Sequence, residues 1–200
     1  SVTGDEPHYL VMASGIVRHG TFEQTIPYRE EFKTREIYKH ALAPPDADPS
    51  PKNTHAAQGP NGLYNVHNIG LPLILSFSFM LGGVLGSKIF MIIISGLAVV
   101  VAWKISGLLT VDSKTRFLST LATCVALPLI PAANQIYPDI LAGIIALSGI
   151  YWFMTTNMHR SAFIEGFWAA AIVFLPWLQI KFAAACIILV IALTLRIYLE

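Results

Sequence analysis

Residues 90–109 read FMIIISGLAVVVAWKISGLL, twenty residues with a single charge, Lys104. At a rise of about 1.5 Å per residue, such a helix is about 30 Å long, the thickness of a bilayer's hydrocarbon core. The pattern repeats along the chain. Apolar stretches near 89–110, 116–133, 139–156, 162–178 and 181–198 each approach spanning length. A sixth, LPLILSFSFMLGGVLG at 71–86, is short and broken by Gly82-Gly83. It reads as an interfacial or re-entrant helix, with a short tilted span as the other reading. The fold expected is an all-α integral membrane protein. It comprises a polytopic helix bundle of about five spans, one interfacial helix and a helical or irregular external N-terminal loop.

Charge divides the chain in the same place. Residues 1–69 hold six Lys/Arg and eight Asp/Glu, whereas residues 70–200 hold seven and four. Only 12% of the 200 residues are charged, about half the usual share of a soluble domain. A cytosolic enzyme, a secreted disulfide scaffold and a disordered tail are thereby excluded. The net charge of +1, without a basic run, argues against a nucleic-acid partner. Cys124 and Cys186 lie in apolar stretches and form no metal or disulfide pattern. Three regions follow: 1–69, an external loop; 70–88, a juxtamembrane helix; and 89–200, the transmembrane bundle.

Loop charges orient the bundle. With residues 1–88 outside, Lys104, Lys114, Arg116, Arg160 and Arg196 gather on the cytoplasmic side, as the positive-inside rule requires. The expected location is the plasma (inner) membrane of a bacterium. Lys181 is the exception on the outer side, where it either anchors at the interface beside Trp177 or meets an anion. Glu165 suits a helix N-terminus. Pro128, Pro131 and Pro176 interrupt helices on the face that carries the external loop. Such breaks are tolerated where protein or a water-filled cavity satisfies the freed carbonyls.

Within the external region, Asp5-Glu6-Pro7 starts a helix, with Asp5 as N-cap, and Gly20 stops it. A second amphipathic helix is expected from Arg29 to Ala43, with Phe32, Ile37 and Tyr38 as its apolar face. Four prolines between residues 44 and 51 make a surface loop, and Gln58-Gly59-Pro60-Asn61-Gly62 a tight turn.

The adjacent carboxylates Asp5 and Glu6 are the first chemical candidates. At a membrane surface they suit a general base and its acidic companion, and equally a cap and a dipole-favoured Glu. His8 lies one helical turn on. None of the six histidines falls within a span, which argues against bis-histidine haem ligation. Chlorin ligation through His67 or His159 is a minor alternative. Asp139, after Tyr137-Pro138, either caps a helix or joins a site. Lys181 could hold a phosphate.

Four segments carry a family resemblance. They are Gly4-Asp5-Glu6-Pro7-His8-Tyr9-Leu10, His67-Asn68-Ile69-Gly70-Leu71-Pro72-Leu73, Gln135-Ile136-Tyr137-Pro138-Asp139 and Pro176-Trp177-Leu178-Gln179-Ile180-Lys181. Together they resemble the external span ends of GT-C membrane glycosyltransferases of the dolichyl- or polyprenyl-phosphate-sugar type, mannosyltransferase-like. The resemblance implies inverting transfer of a sugar from a polyprenyl-phosphate donor to an acceptor hydroxyl. Asp5 and Glu6 would be catalytic, and His8, Tyr137, Asp139 and Lys181 would bind substrate. Membrane lipid and the lipid-linked donor would be the partners. Some family members use a divalent metal near the acidic loop, and no residue here specifies one. The family also carries a span before the acidic pair and further spans after the point corresponding to Glu200. The chain therefore reads as a fragment or a shortened relative. A non-catalytic accessory subunit of a larger membrane complex is the competing expectation.

Overall fold

The computed structural model describes residues 2–125, 129–155 and 162–199. Pro128, His159 and Arg160, singled out above, lie outside the described residues. The chain is mostly helical, with one small hairpin, and forms two compact units, Ser1–Phe90 and Met91–Glu200.

In the first unit, α1 (Glu6–His19) begins with Pro7 in its first turn and ends on Gly20. Gly20 takes the left-handed conformation (φ 63°), and its N–H closes on Ile16. Helix α2 spans Thr25–Thr34, four residues earlier at its start than expected and nine at its end. The cause is local. Arg35 turns left-handed, and the buried Glu31 carboxylate accepts the backbone N–H groups of Ile37 and Tyr38 at 3.0 and 2.7 Å. The apolar residues Ile37 and Tyr38 thus follow a turn rather than a helix face. Helix α1 packs closely on α2 at Gly15, where a Cβ would come within 2.8 Å of Pro27 Cγ.

The tight turn closes a hairpin, β1 (Ala56–Gly59) against β2 (Gly62–Asn65), in antiparallel register with Ala56 opposite Asn65. Glu23 ties this hairpin to the start of α2: its Oε1 accepts the Thr25 and Leu63 N–H groups at 3.0 and 2.9 Å. Leu10, Tyr28, Phe32, Leu63, Leu71 and Leu75 fill the core of this unit.

Helix α3 (Gly70–Leu109) is forty residues long. Gly82 and Gly83 leave helical geometry (φ −158° and +55°), so the run is two helices joined at a kink. The break falls at the Gly-Gly pair, and the chain is helical again from Val84, ahead of the expected boundary at 88/89. Among the described residues, α3 is the one helix long and apolar enough to cross a membrane. Phe77, Met80, Leu81, Leu85, Ile92 and Ile93 along it are exposed.

The second unit continues with α4 (Ser113–Val125), α5 (Leu129–Ala132), α6 (Pro138–Met154), α7 (Ala162–Val173), α8 (Leu175–Leu178) and α9 (Ala183–Leu199). Asp112 caps α4 by accepting the Thr115 N–H at 2.8 Å. Arg116 stacks over the Trp103 ring, 3.9 Å from its centroid. Helices α6, α7 and α9 pack together around Gly149, whose small size lets Ile172 and Leu189 approach. Glu165 sits in the first turn of α7. Helices α6 and α7 are apolar but shorter than a bilayer requires, at 17 and 12 residues.

Candidate functional site

The two adjacent carboxylates at the start of α1 have opposite environments. Glu6 is fully buried. It accepts the Thr3 N–H at 2.7 Å and pairs with Lys88 Nζ at 2.6 Å. Asp5 occupies the N-cap position, yet its side chain makes no capping hydrogen bond. It is 43% exposed and faces two imidazoles. Its Oδ1 lies 3.4 Å from His55 Nδ1 and 4.0 Å from His67 Nε2.

The hairpin explains why these two histidines meet. With Ala56 opposite Asn65, His55 falls opposite Val66, whose N–H bonds the His55 carbonyl at 2.9 Å. A continued ladder would turn His67 to the opposite face, but the chain leaves the strand and bends at Val66 and His67, and His55 Nδ1 and His67 Nε2 are 3.3 Å apart. Asp5, His55 and His67 form a group whose ligand atoms all lie within 4.8 Å of one another. These three residues could hold a metal ion.

Beneath this group lies a hydrogen-bonded support. The buried Tyr28 hydroxyl accepts a hydrogen bond from Asn65 Nδ2 at 3.1 Å and lies 2.7 Å from His8 Nδ1. Burial raises the Tyr28 pKa, which keeps the hydroxyl protonated. His8 is accordingly neutral: burial, with the nearby His55 and His67, pushes its pKa down to about 4, against the opposing pull of Asp5. Burial lowers the pKa of His67 as well. His8 stacks flat on His55, ring centroids 3.9 Å apart and planes 12° from parallel. Asn65 Oδ1 accepts the His67 N–H at 2.9 Å. One side chain, Asn65, thus links the Tyr28 hydroxyl to the backbone that carries His67.

The remaining candidates lie in the second unit. Tyr137 is the N-cap residue of α6, in extended conformation, and Asp139 is in that helix's first turn. Asp139 pairs with Lys181 at 2.7 Å, both side chains about half exposed. The structure therefore joins Asp139 with Lys181, and Asp5 and His8 with His55 and His67, while Glu6 turns inward to Lys88.

Sequence reasoning had passed over His55, Tyr28, Asn65 and Lys88, and had considered His67 only as a pigment ligand. One signal was present: His55 and His67 flank the Gly59–Gly62 turn almost symmetrically, so the hairpin brings the two positions within one residue of pairing. Lys88 stood as the one charge between two apolar stretches. Comparison of the chain with protein-family models, with curated proteins and with solved structures finds no match to any of them.

Proposed function

We propose that this chain is a membrane glycosyltransferase-like protein of GT-C type that transfers a sugar from a polyprenyl-phosphate donor to an acceptor hydroxyl at the outer face of a membrane. The observation supporting this reading is the division of labour between Asp5 and Glu6. Glu6 is consumed by a buried ion pair with Lys88. Asp5 is released from helix capping and presented at the surface of its unit. A general base needs that accessibility to reach the proton it removes.

In this reading Asp5 accepts the acceptor hydroxyl's proton as the new C–O bond forms at the sugar's anomeric carbon. The bond from that carbon to the donor phosphate breaks, and polyprenyl phosphate leaves with inversion. Glu6 acts through position, holding the first turn of α1 against Lys88. His8 borders the acceptor side. Within the second unit, Lys181 with its partner Asp139, and Tyr137, are the candidate substrate-binding group, Lys181 being suited to a phosphate as a compact point charge. The membrane arrangement this reading takes is the expected polytopic bundle of about five spans, with 71–86 at the interface and residues 1–88 outside.

The test is sugar transfer by membranes containing the full protein. Asp5→Asn should abolish transfer from a polyprenyl-phosphate sugar while insertion is retained. Undiminished transfer by that variant overturns the assignment. Stoichiometric copurification with other membrane proteins, with no transfer by the wild type, would favour the accessory-subunit reading instead.

A further inference from the structure

Three lone-pair-bearing atoms converge in the first unit. His55 Nδ1 lies 3.3 Å from His67 Nε2 and 3.4 Å from Asp5 Oδ1. A single ring nitrogen carries at most one proton, so it cannot donate to both neighbours at once. A cation at the common focus would engage all three atoms together.

The spacing identifies the class of cation. With bonds of about 2.0–2.1 Å, two ligand atoms of a tetrahedral zinc site lie about 3.4 Å apart. In an octahedral site with similar bonds, adjacent ligands are about 2.9 Å apart. Two of the observed edges, 3.3 and 3.4 Å, lie near the tetrahedral value, and the third, 4.0 Å between Asp5 and His67, would close by about 0.6 Å around such an ion. Two imidazoles and one carboxylate also suit a borderline ion such as zinc, and disfavour magnesium or calcium, which take oxygen ligands.

We propose that Asp5, His55 and His67 form a site for a tetrahedral divalent cation of the zinc class, with its fourth position open to an exogenous ligand. The surroundings hold the ligands in place. His55 is stacked on His8, and the His67 ring lies 4.8 Å from that of Tyr9. The His67 backbone is tied to Asn65, which also bonds the Tyr28 hydroxyl, and the His55 carbonyl is tied to the Val66 N–H. Such outer contacts orient metal-binding imidazoles. Ligands also come from two distant segments, residue 5 and residues 55–67, so the ion staples the start of α1 to the hairpin.

Three protein ligands and one open position are the arrangement of catalytic zinc. A hydroxyl bound at the open position becomes more acidic. In this use Asp5 ligates through Oδ1 and takes the acceptor's proton on Oδ2. This use of the site rests on the sugar-transfer reading; the binding itself does not.

The experiment uses the full chain, without a histidine tag, in detergent micelles. Zn2+ titrated calorimetrically should bind at one equivalent per chain. Co2+ substituted for it should show the intense visible bands of four-coordinate geometry. His55→Ala and His67→Ala should each weaken Zn2+ binding by at least about 100-fold, whereas the exposed His40→Ala should leave it unchanged. X-ray absorption of the zinc-loaded wild type, which needs no variant to fold, should show two imidazoles and oxygen. Failure of the wild type to bind Zn2+, equal binding by the His67→Ala variant, or a shell without two imidazoles overturns the site. Stoichiometric binding with no sugar transfer would instead leave the site standing and overturn the functional reading.

Discussion

Glu6 and Lys88, eighty-two residues apart in sequence, form a 2.6 Å ion pair with side chains 1% and 12% exposed. The pair fixes the first turn of α1 to the part of α3 beyond its kink. A buried charge left without its partner is costly, whereas replacing both by apolar groups is far less so.

Glu6→Gln or Lys88→Met should therefore each lower stability by about 3–5 kcal/mol. The double variant Glu6→Leu/Lys88→Met should recover most of that loss. Denaturant unfolding followed by circular dichroism measures all three, and equal loss in single and double variants would refute the pairing energetics.

Tyr28→Phe removes the buried oxygen that accepts from Asn65 Nδ2 and lies against His8 Nδ1. A loss of about 1–3 kcal/mol is expected. The same variant should weaken zinc binding by about 10–100-fold, because the hydroxyl orients the histidines without touching the ion. Calorimetry on a folded Tyr28→Phe protein separates the two effects.

Two glutamates should shape the pH profile of stability in opposite directions. Partial burial opposes the charge on Glu23, but hydrogen bonds from Thr25, Leu63 and Gln24 outweigh it and hold its pKa below 4.5. Its contribution is complete above pH 4.5 and is lost as pH falls through the depressed folded-state value. Burial dominates for Glu31, reinforced by Glu36 and opposed by the Ile37 and Tyr38 N–H groups and Arg18, so its pKa is raised above 4.5. Its contribution is complete below pH 4.5 and declines as pH rises through the folded-state value. Thermal unfolding across pH should show Glu23→Gln flattening the acid limb and Glu31→Gln flattening the slope just above it.

The kink in α3 should be sensitive to one of its two glycines. Gly83 has φ +55° and ψ −137°, a backbone region that a side chain strains, although open space surrounds it. Gly83→Ala should cost about 1–3 kcal/mol. Gly82, at φ −158° and equally open, should accept alanine with little change. Melting temperatures of the two variants in the same micelle provide the comparison.

The amino-acid sequence alone determined the features whose causes are local. The charge division near residue 70 follows from composition. Pro7 and Gly20 mark the ends of α1 because the first fits a helix start and the second tolerates a left-handed φ. Gly59–Gly62 closes a turn, and Gly82-Gly83 breaks α3, for equally local reasons. Where sequence reasoning misplaced α2, the cause was the Glu31 carboxylate, which captures two backbone donors beyond the helix end and leaves no trace in apolar periodicity.

Tertiary structure decided the rest. Whether Asp5 caps a helix or faces a site depends on two imidazoles some fifty and sixty residues later, delivered by a hairpin and the bend that follows it. Whether Glu6 is accessible depends on Lys88 arriving beside it. Adjacent carboxylates of nearly equal intrinsic chemistry thus acquire different roles, because charge is stabilised by what surrounds it in space. No spacing along residues 1–10 contains that information.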